Sequence, residues 1–212
     1  MVSINCKKVF IIATEPSGDL IGYELIKKLK FLNRNISIIG IGGEKMNSLE
    51  FNSILPTDKM NVNGLIEVLF RLNDFLFFLR QTKLKIKEYN PDIIITIDSP
   101  SFNYRIINQV QYLRPKTKLV HIVAPTVWAW KKYRAKQFAE KYDLLLTLFD
   151  FEPKYFQQYN KNVFCIGHPI FFNKKKKIRK KKEVISFFPG SRTNEIEFML
   201  PKMIQIIKKL EK

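Results

Sequence analysis

Residues 91–103 read P-D-I-I-I-T-I-D-S-P-S-F-N. Five almost wholly apolar residues, Ile93 to Ile97, lead into a carboxylate, Asp98, and then into an apolar pattern at helical spacing from Phe102 to Leu113. A run this short and β-branched, with no polar alternation, reads as a strand buried on both faces. The unit recurs. Val9 to Ala13, Ile36 to Ile41, Leu119 to Val123, Leu144 to Leu148 and Val163 to Ile166 are similar runs. Helical patterns lie between them at Leu20 to Phe31, Gly64 to Tyr89, Tyr133 to Lys141 and Glu152 to Tyr159. Alternation of this kind predicts an α/β fold, a Rossmann-like parallel sheet with helices on both faces.

Outward from that core, the composition is that of a globular protein: 212 residues, 46% hydrophobic and 26% charged. A chain of this length buries roughly 70% of its unfolded surface and needs no disulfide or metal to hold it. Val9 to Ala13 is too brief for a signal peptide. Leu65 to Leu79 is interrupted by Glu67, Arg71, Asn73 and Asp74, whereas a spanning helix takes about 20 mostly apolar residues. The two cysteines, Cys6 and Cys165, are far apart and fit a reducing, cytoplasmic setting. Cys165 and His168 have the spacing of half a zinc site, but one further cysteine and one further histidine do not complete a ligand set, so neither metal nor cofactor is expected.

The net charge of +18 is unusual and attracts polyanions: nucleic acid, anionic lipid or phosphorylated substrates. Lysine is abundant together with Ile, Asn and Phe, as it would be under A- and T-rich codon usage, so part of the charge needs no partner. No nucleic-acid-binding motif is present. The densest basic run, eight of nine residues from Lys174 to Lys182, reads as a solvated linker, so nucleic acid is not expected as a partner. The expected organisation is a first domain over 1–170, a basic linker over 171–182, and from 183 the first strand (Val184 to Phe188), glycine turn and helix of a second Rossmann-like domain. The rest of that domain is expected to lie outside this chain, with a separately encoded C-terminal half as a candidate partner.

Ligands of open α/β sheets sit outside the carboxyl ends of the strands, which directs attention to the loops there. Ala13-Thr14-Glu15-Pro16-Ser17-Gly18-Asp19 ends a strand and opens a helix. Gly18 permits close backbone approach, and helix-start amides favour anionic or hydroxyl-rich groups, although Ser17 or Asp19 could equally be helix caps. Asp98 borders the crevice and suits proton abstraction from a hydroxyl, with capping of the following helix as the competing role. His121 to Trp130 carries Trp128 and Trp130 beside Lys131, Lys132 and Arg134, a floor for a sugar or acyl group or simple packing on the sheet. Pro189-Gly190-Ser191-Arg192 repeats the glycine turn with a guanidinium suited to phosphate.

In order along the chain stand A-T-E-P-S-G-D (13–19), G-I-G-G near Met46, G-L-I-E-V-L (64–69), P-D-I-I-I-T-I-D-S-P-S-F-N (91–103), H-I-V-A-P-T-V-W-A-W (121–130), F-C-I-G-H-P (164–169) and F-P-G-S-R (188–192). The series resembles the lipid-A-disaccharide synthases over nearly the whole chain. Thr14, where the family usually has glycine, and Asn63 depart from the pattern. The resemblance implies an inverting, metal-independent two-domain glycosyltransferase of the GT-B type. Its donor would be UDP-2,3-diacylglucosamine and its acceptor 2,3-diacylglucosamine 1-phosphate. A D-x-D motif is absent from the sequence, consistent with that class. By the same resemblance Asp98 is the base, Arg192 contributes to donor phosphate binding, and Glu15, Ser17, Gly18 and Asp19 line the cleft. The chain by itself is expected to be inactive.

The resemblance further implies a peripheral position at the cytoplasmic face of the inner membrane. The helix from Leu65 has a matching composition. Leu65, Val68, Leu69, Leu72, Leu76 and Leu79 form a core face, and Ile66, Phe70, Phe77 and Phe78 remain for a second, membrane-contacting surface flanked by Arg71, Arg80, Lys83, Lys85 and Lys87. A helix sandwiched between the sheet and another helix is the alternative. Another GT-B transferase, using UDP-N-acetylglucosamine and a soluble acceptor, and a non-enzymatic polyanion binder are the competing functions.

Overall fold

The computed structural model describes residues 7–57, 72–169, 184–190 and 193–210. The chain divides into two compact units, Met1–Phe172 and Asn173–Lys212.

The first unit is built on six parallel strands: β1 (Lys8–Ala13), β2 (Ser37–Ile41), β3 (Ile93–Ile97), β4 (Lys118–Ile122), β5 (Leu144–Thr147) and β6 (Val163–Cys165). Each lies within one residue of its expected bounds, and the fold class is α/β and Rossmann-like, as expected. The spatial order is β2-β1-β3-β4-β5-β6. Sequence order therefore reverses between β1 and β3, which is the doubly wound arrangement whose crevice opens at that switch point. Successive residues of β1 supply the two faces of the sheet. Phe10 and Ile12 join Ile94, Leu119 and Leu145 on one side, and Val9, Ile11 and Ala13 join Ile95 and Ile97 on the other.

Helices cover both faces: α1 (Pro16–Leu32) and the short α2 (Glu44–Asn47) bring Ile26 and Met46 to the second side, while α3 (Leu72–Tyr89), α4 (Pro100–Val110) and α5 (Arg134–Lys141) cover the first. Both α1 and α4 open on a proline, whose fixed φ suits the first turn and whose absent amide loses nothing there. Gly40 of β2 has φ +148°, and a Cβ on it would run into the carbonyl oxygen of Ile11, so only glycine fits. The start of β1 is tied to β3 by Asp92, whose Oδ2 accepts the amides of Lys8 (2.9 Å) and Lys7 (2.8 Å). Those two amides hold its carboxyl below the usual carboxylate range.

Four expectations need correction. The helix expected over Glu152 to Tyr159 is a single 3-10 turn, Pro153–Tyr155. Tyr155, Phe156 and Tyr159 close i→i−3 bonds and only Gln157 and Asn160 close i→i−4 ones, while Glu152 turns its carboxylate back onto the preceding loop. In α3 the inward stripe is Phe78, Leu79, Thr82 and Ile86. Phe78, expected at a membrane-facing surface, is 6% exposed, and Leu76, expected in the core, is 53% exposed. Phe75 to Leu79 are apolar without a break, so this turn can be rotated by one residue, about 100°, without spoiling its pattern, and packing in the cluster with Phe102 and Ile106 decides the phase.

The fourth correction lies in the second unit. Residues 184–190 form no strand: Val184, Ile185 and Phe188 are 69%, 67% and 81% exposed. Strands require a hydrogen-bonded neighbour, and among the described residues they have none. Helix α6 (Thr193–Leu210) follows, with Pro201 inside it and no residue buried.

Candidate functional site

The loops on either side of the β1/β3 switch point are joined by side-chain hydrogen bonds. Ser17, in the first turn of α1, donates from Oγ to Oδ2 of Asp98 at 3.0 Å. Beneath this pair, Thr14 donates to the Ser99 hydroxyl and Ser99 donates to Glu15 Oε1, each at 2.6 Å. Thr14, at the position where the pattern departs, is thus 4% exposed and part of the joint.

Asp98 and Ser99 are both left-handed, with φ of 54° and 42°. Two such non-glycine residues in succession are uncommon, and they make the corner at which the chain leaves β3 for α4. Asn103, fully buried, braces the corner by donating from Nδ2 to the Asp98 carbonyl at 2.7 Å. Asp98 also donates its amide to Ile122 of β4 at 2.9 Å. The N-cap of α4 is Ser99, with no side-chain cap bond. The Asp98 carboxylate accepts the amide of the next residue at 2.9 Å and the Ser17 hydroxyl. It is half-buried and retains acceptor capacity for a further proton donor.

Of the other expected residues in this loop, Glu15 and Ser17 are exposed and Gly18 is buried. A Cβ on Gly18 would stand 3.4 Å from the Ile97 carbonyl, so its smallness serves the approach of α1 to β3. Asp19 does not line the open crevice. It is 6% exposed, and its carboxylate accepts the amides of Gly43 (2.8 Å), Lys45 (2.9 Å) and Met46 (3.0 Å). It is a cap, but of α2 rather than of its own helix, and it fixes the loop after β2 against α1.

The third loop places Trp128 at the carboxyl ends of β4 and β5, 41% exposed. Its indole donates to Glu152 Oε1 at 3.2 Å and meets Phe151 edge to face at 5.4 Å. Phe149 stacks on Phe151 at 5.7 Å and lies 6.0 Å from the His168 ring. Glu152, 3% exposed, also accepts the amides of Leu148 and Phe149 at 3.0 Å, so one carboxylate orders the whole aromatic wall. Sequence reasoning missed Phe149, Phe151 and Glu152. The available signal was F-D-F-E directly after a strand, at the edge where ligands bind. Trp130, 72% exposed, instead lies under Lys131, whose Nζ is 4.2 Å from the ring centroid.

His121 belongs to the scaffold. It is wholly buried, with Nδ1 2.7 Å from the Thr96 hydroxyl and its ring 5.0 and 5.1 Å from Tyr142 and Phe138. Burial pulls its pKa down to about 3, so the ring is neutral at physiological pH. Arg192, Ile66 and Phe70 lie outside the described residues. Among the described residues, no cluster of three or more His, Cys, Asp or Glu could hold a metal ion, and no helix is long and apolar enough to cross a membrane.

A family model described as lipid-A-disaccharide synthetase matches residues 9–212. Two named lipid-A-disaccharide synthases are close in sequence. The one from Rickettsia akari is 39% identical over 216 residues, covering 97% of this chain and 55% of the relative. The one from Coxiella burnetii (strain Dugway) is 34% identical over 216 residues, covering 97% and 57%. The chain thus spans about half the length of the curated relatives it matches. Among solved structures, a UDP-GlcNAc 2-epimerase from Neisseria meningitidis bound to UDP-GlcNAc superposes with a TM-score of 0.55 at 10% identity, over 77% of this chain and 46% of that one. The S. aureus MnaA–UDP co-structure gives 0.52 at 13% identity, over 74% and 42%. At such identities these likenesses bear on the fold alone.

Proposed function

From the premise that this chain belongs to the lipid-A-disaccharide synthetase family, as the match over residues 9–212 establishes, we propose that it forms the acceptor-side half of a GT-B glycosyltransferase. The enzyme joins 2,3-diacylglucosamine, delivered as its UDP derivative, to 2,3-diacylglucosamine 1-phosphate. Asp98 takes the proton of the acceptor hydroxyl as that oxygen attacks C1 of the donor sugar. The bond from C1 to the UDP oxygen breaks, UDP leaves with the electron pair, and the configuration at C1 inverts.

The observation that carries this reading is the state of the Asp98 carboxylate. It stands at the switch point, is held by the Ser17 hydroxyl from the opposite loop, and is not consumed in capping α4. Glu15 and Ser17 form one side of the acceptor site, and the wall of Trp128, Phe149 and Phe151 offers flat apolar surface for a sugar ring or acyl chain. Arg192 belongs to the donor side.

Acylated substrates call for a membrane-bound enzyme. The outer face of α3 carries Leu76, Phe77 and Leu84, 53%, 53% and 49% exposed, beside Arg80, Lys83, Lys85 and Lys87. That is the composition of an interfacial segment drawn to anionic lipid at the cytoplasmic face of the inner membrane.

The test is a chimera joining residues 1–212 to the remaining C-terminal portion of the Rickettsia akari relative. Supplied with both sugar substrates, it is expected to release UDP and the disaccharide 1-phosphate, read by mass spectrometry. The 212 residues alone are expected to give none, and a well-folded chimera without product overturns the reading.

A further inference from the structure

Helices α4 and α5 leave the carboxyl edge of the sheet side by side, and a groove of about 410 Å³ runs between them. From α4 it is lined by Tyr104, Arg105 and Asn108, and from α5 and the preceding loop by Lys131, Arg134 and Gln137. Among the described residues, no carboxylate lines it. None of the three cations is in any ion pair found among the described residues, although five other pairs are formed. Like charges gathered at one concave site repel unless an anion joins them, and such clusters are found where phosphates bind.

Two of the cations are also held in place. Arg105 donates from Nη1 to the Ser101 carbonyl at 2.9 Å, and its guanidinium lies 5.4 Å from the Phe75 ring centroid, which leaves most of its five N–H donors free to turn outward. Lys131 is half-buried over Trp130, at a left-handed corner with φ of 53°. Arg134 is half-buried as well. Cations braced in this way lose less conformational freedom on binding than lysines waving in solvent.

We propose that the α4–α5 groove is a binding site for a phosphate monoester. A monoester carries close to two negative charges at neutral pH and three acceptor oxygens, which matches three cations better than the single charge of a diester. The neutral donors and acceptors Asn108 and Gln137 suit the sugar or glycerol that bears it. Pro100, two residues after Asp98 in sequence, is among the residues that line the groove. Identifying its occupant with the 1-phosphate of the acceptor rests on the reaction proposed above; the site itself does not.

Binding is measured on the 212-residue chain by titration calorimetry with α-D-glucosamine 1-phosphate, and by sedimentation with phosphatidylcholine vesicles containing phosphatidic acid, whose headgroup is also a monoester. The triple variant Arg105→Gln, Lys131→Gln, Arg134→Gln is compared with a charge-matched control, Lys28→Gln, Lys45→Gln, Lys116→Gln. The groove variant is expected to lose affinity about 10-fold or more and the control no more than about 2-fold. Loss in the calorimetric arm assigns a soluble sugar phosphate, and loss confined to the vesicle arm assigns a lipid headgroup. Equal loss in both variants, or no groove-dependent binding in either arm, overturns the proposal. Circular dichroism checks folding, and Arg134→Gln alone decides the matter if the triple variant unfolds. No turnover is needed, so failure here leaves the reaction standing, and an inactive chimera leaves the site standing.

Discussion

The Ser17 hydroxyl donates to the Asp98 carboxylate at 3.0 Å across the β1/β3 switch point, joining residues 81 positions apart. The bond fixes one oxygen of Asp98 while the amide of Ser99 takes the other, so the carboxylate is oriented from two directions without being enclosed. Each of its oxygens keeps acceptor capacity for a further donor.

Asp98→Asn in the chimera is therefore expected to lower turnover by at least about 100-fold, the scale of losing a general base. Ser17→Ala, which releases one oxygen, should cost about 10-fold. Both variants should keep the wild-type unfolding midpoint. Near-normal turnover in Asp98→Asn would show that the residue only shapes the corner.

His121 makes stability depend on pH. It is neutral when folded, with a pKa near 3, and takes up a proton near 6.5 when unfolded. Between those values the unfolded chain binds more protons, so its contribution is intact above pH 6.5 and is lost as pH falls toward 3, at up to about 1.4 kcal/mol per pH unit. Urea unfolding of His121→Asn between pH 4 and 6 should show a shallower dependence than the wild type. Parallel curves would mean that His121 does not set the slope.

Asp19→Ala leaves three amides at the start of α2 without their acceptor. A loss of about 2–4 kcal/mol is expected, measured by urea unfolding, with Asp19→Asn less affected because one oxygen remains. A change below about 0.5 kcal/mol would place the importance of Asp19 elsewhere.

Adjacent phenylalanines of α3 should separate two roles. Phe78→Ser empties a core position and should cost about 3–5 kcal/mol. Phe77→Ser should change stability by less than about 1 kcal/mol while weakening sedimentation with vesicles that contain phosphatidylglycerol. Vesicle binding unchanged in Phe77→Ser would remove that residue from the proposed membrane surface.

The six strands were legible in the sequence because short, largely apolar, β-branched runs recur between helical patterns, and the central ones, β1 and β3, are buried on both faces. The loops that bear Asp98, Ser17 and Trp128 followed from strand ends. Their partners did not. Asp19 reaches amides 24 to 27 residues away, and Glu152 meets an indole 24 residues earlier, contacts that depend on which strands are neighbours. The phase of α3 was hidden for a different reason: Leu76, Phe77, Phe78 and Leu79 are all apolar, so only the contact with α4 distinguishes them. Val184 to Phe188 has the composition of a strand, and composition supplies no partner.

The strand order also sets a timetable for synthesis. β1 and β2 are complete once Ile41 has been made, but the central neighbour of β1 begins only at Ile93. Roughly 50 residues separate them, a delay of roughly 3–10 s at the pace of translation. Throughout that interval Lys8–Ala13, buried in the finished sheet at every residue but its first, has one hydrogen-bonding edge open. That open edge is the point at which two nascent copies would join each other instead of themselves.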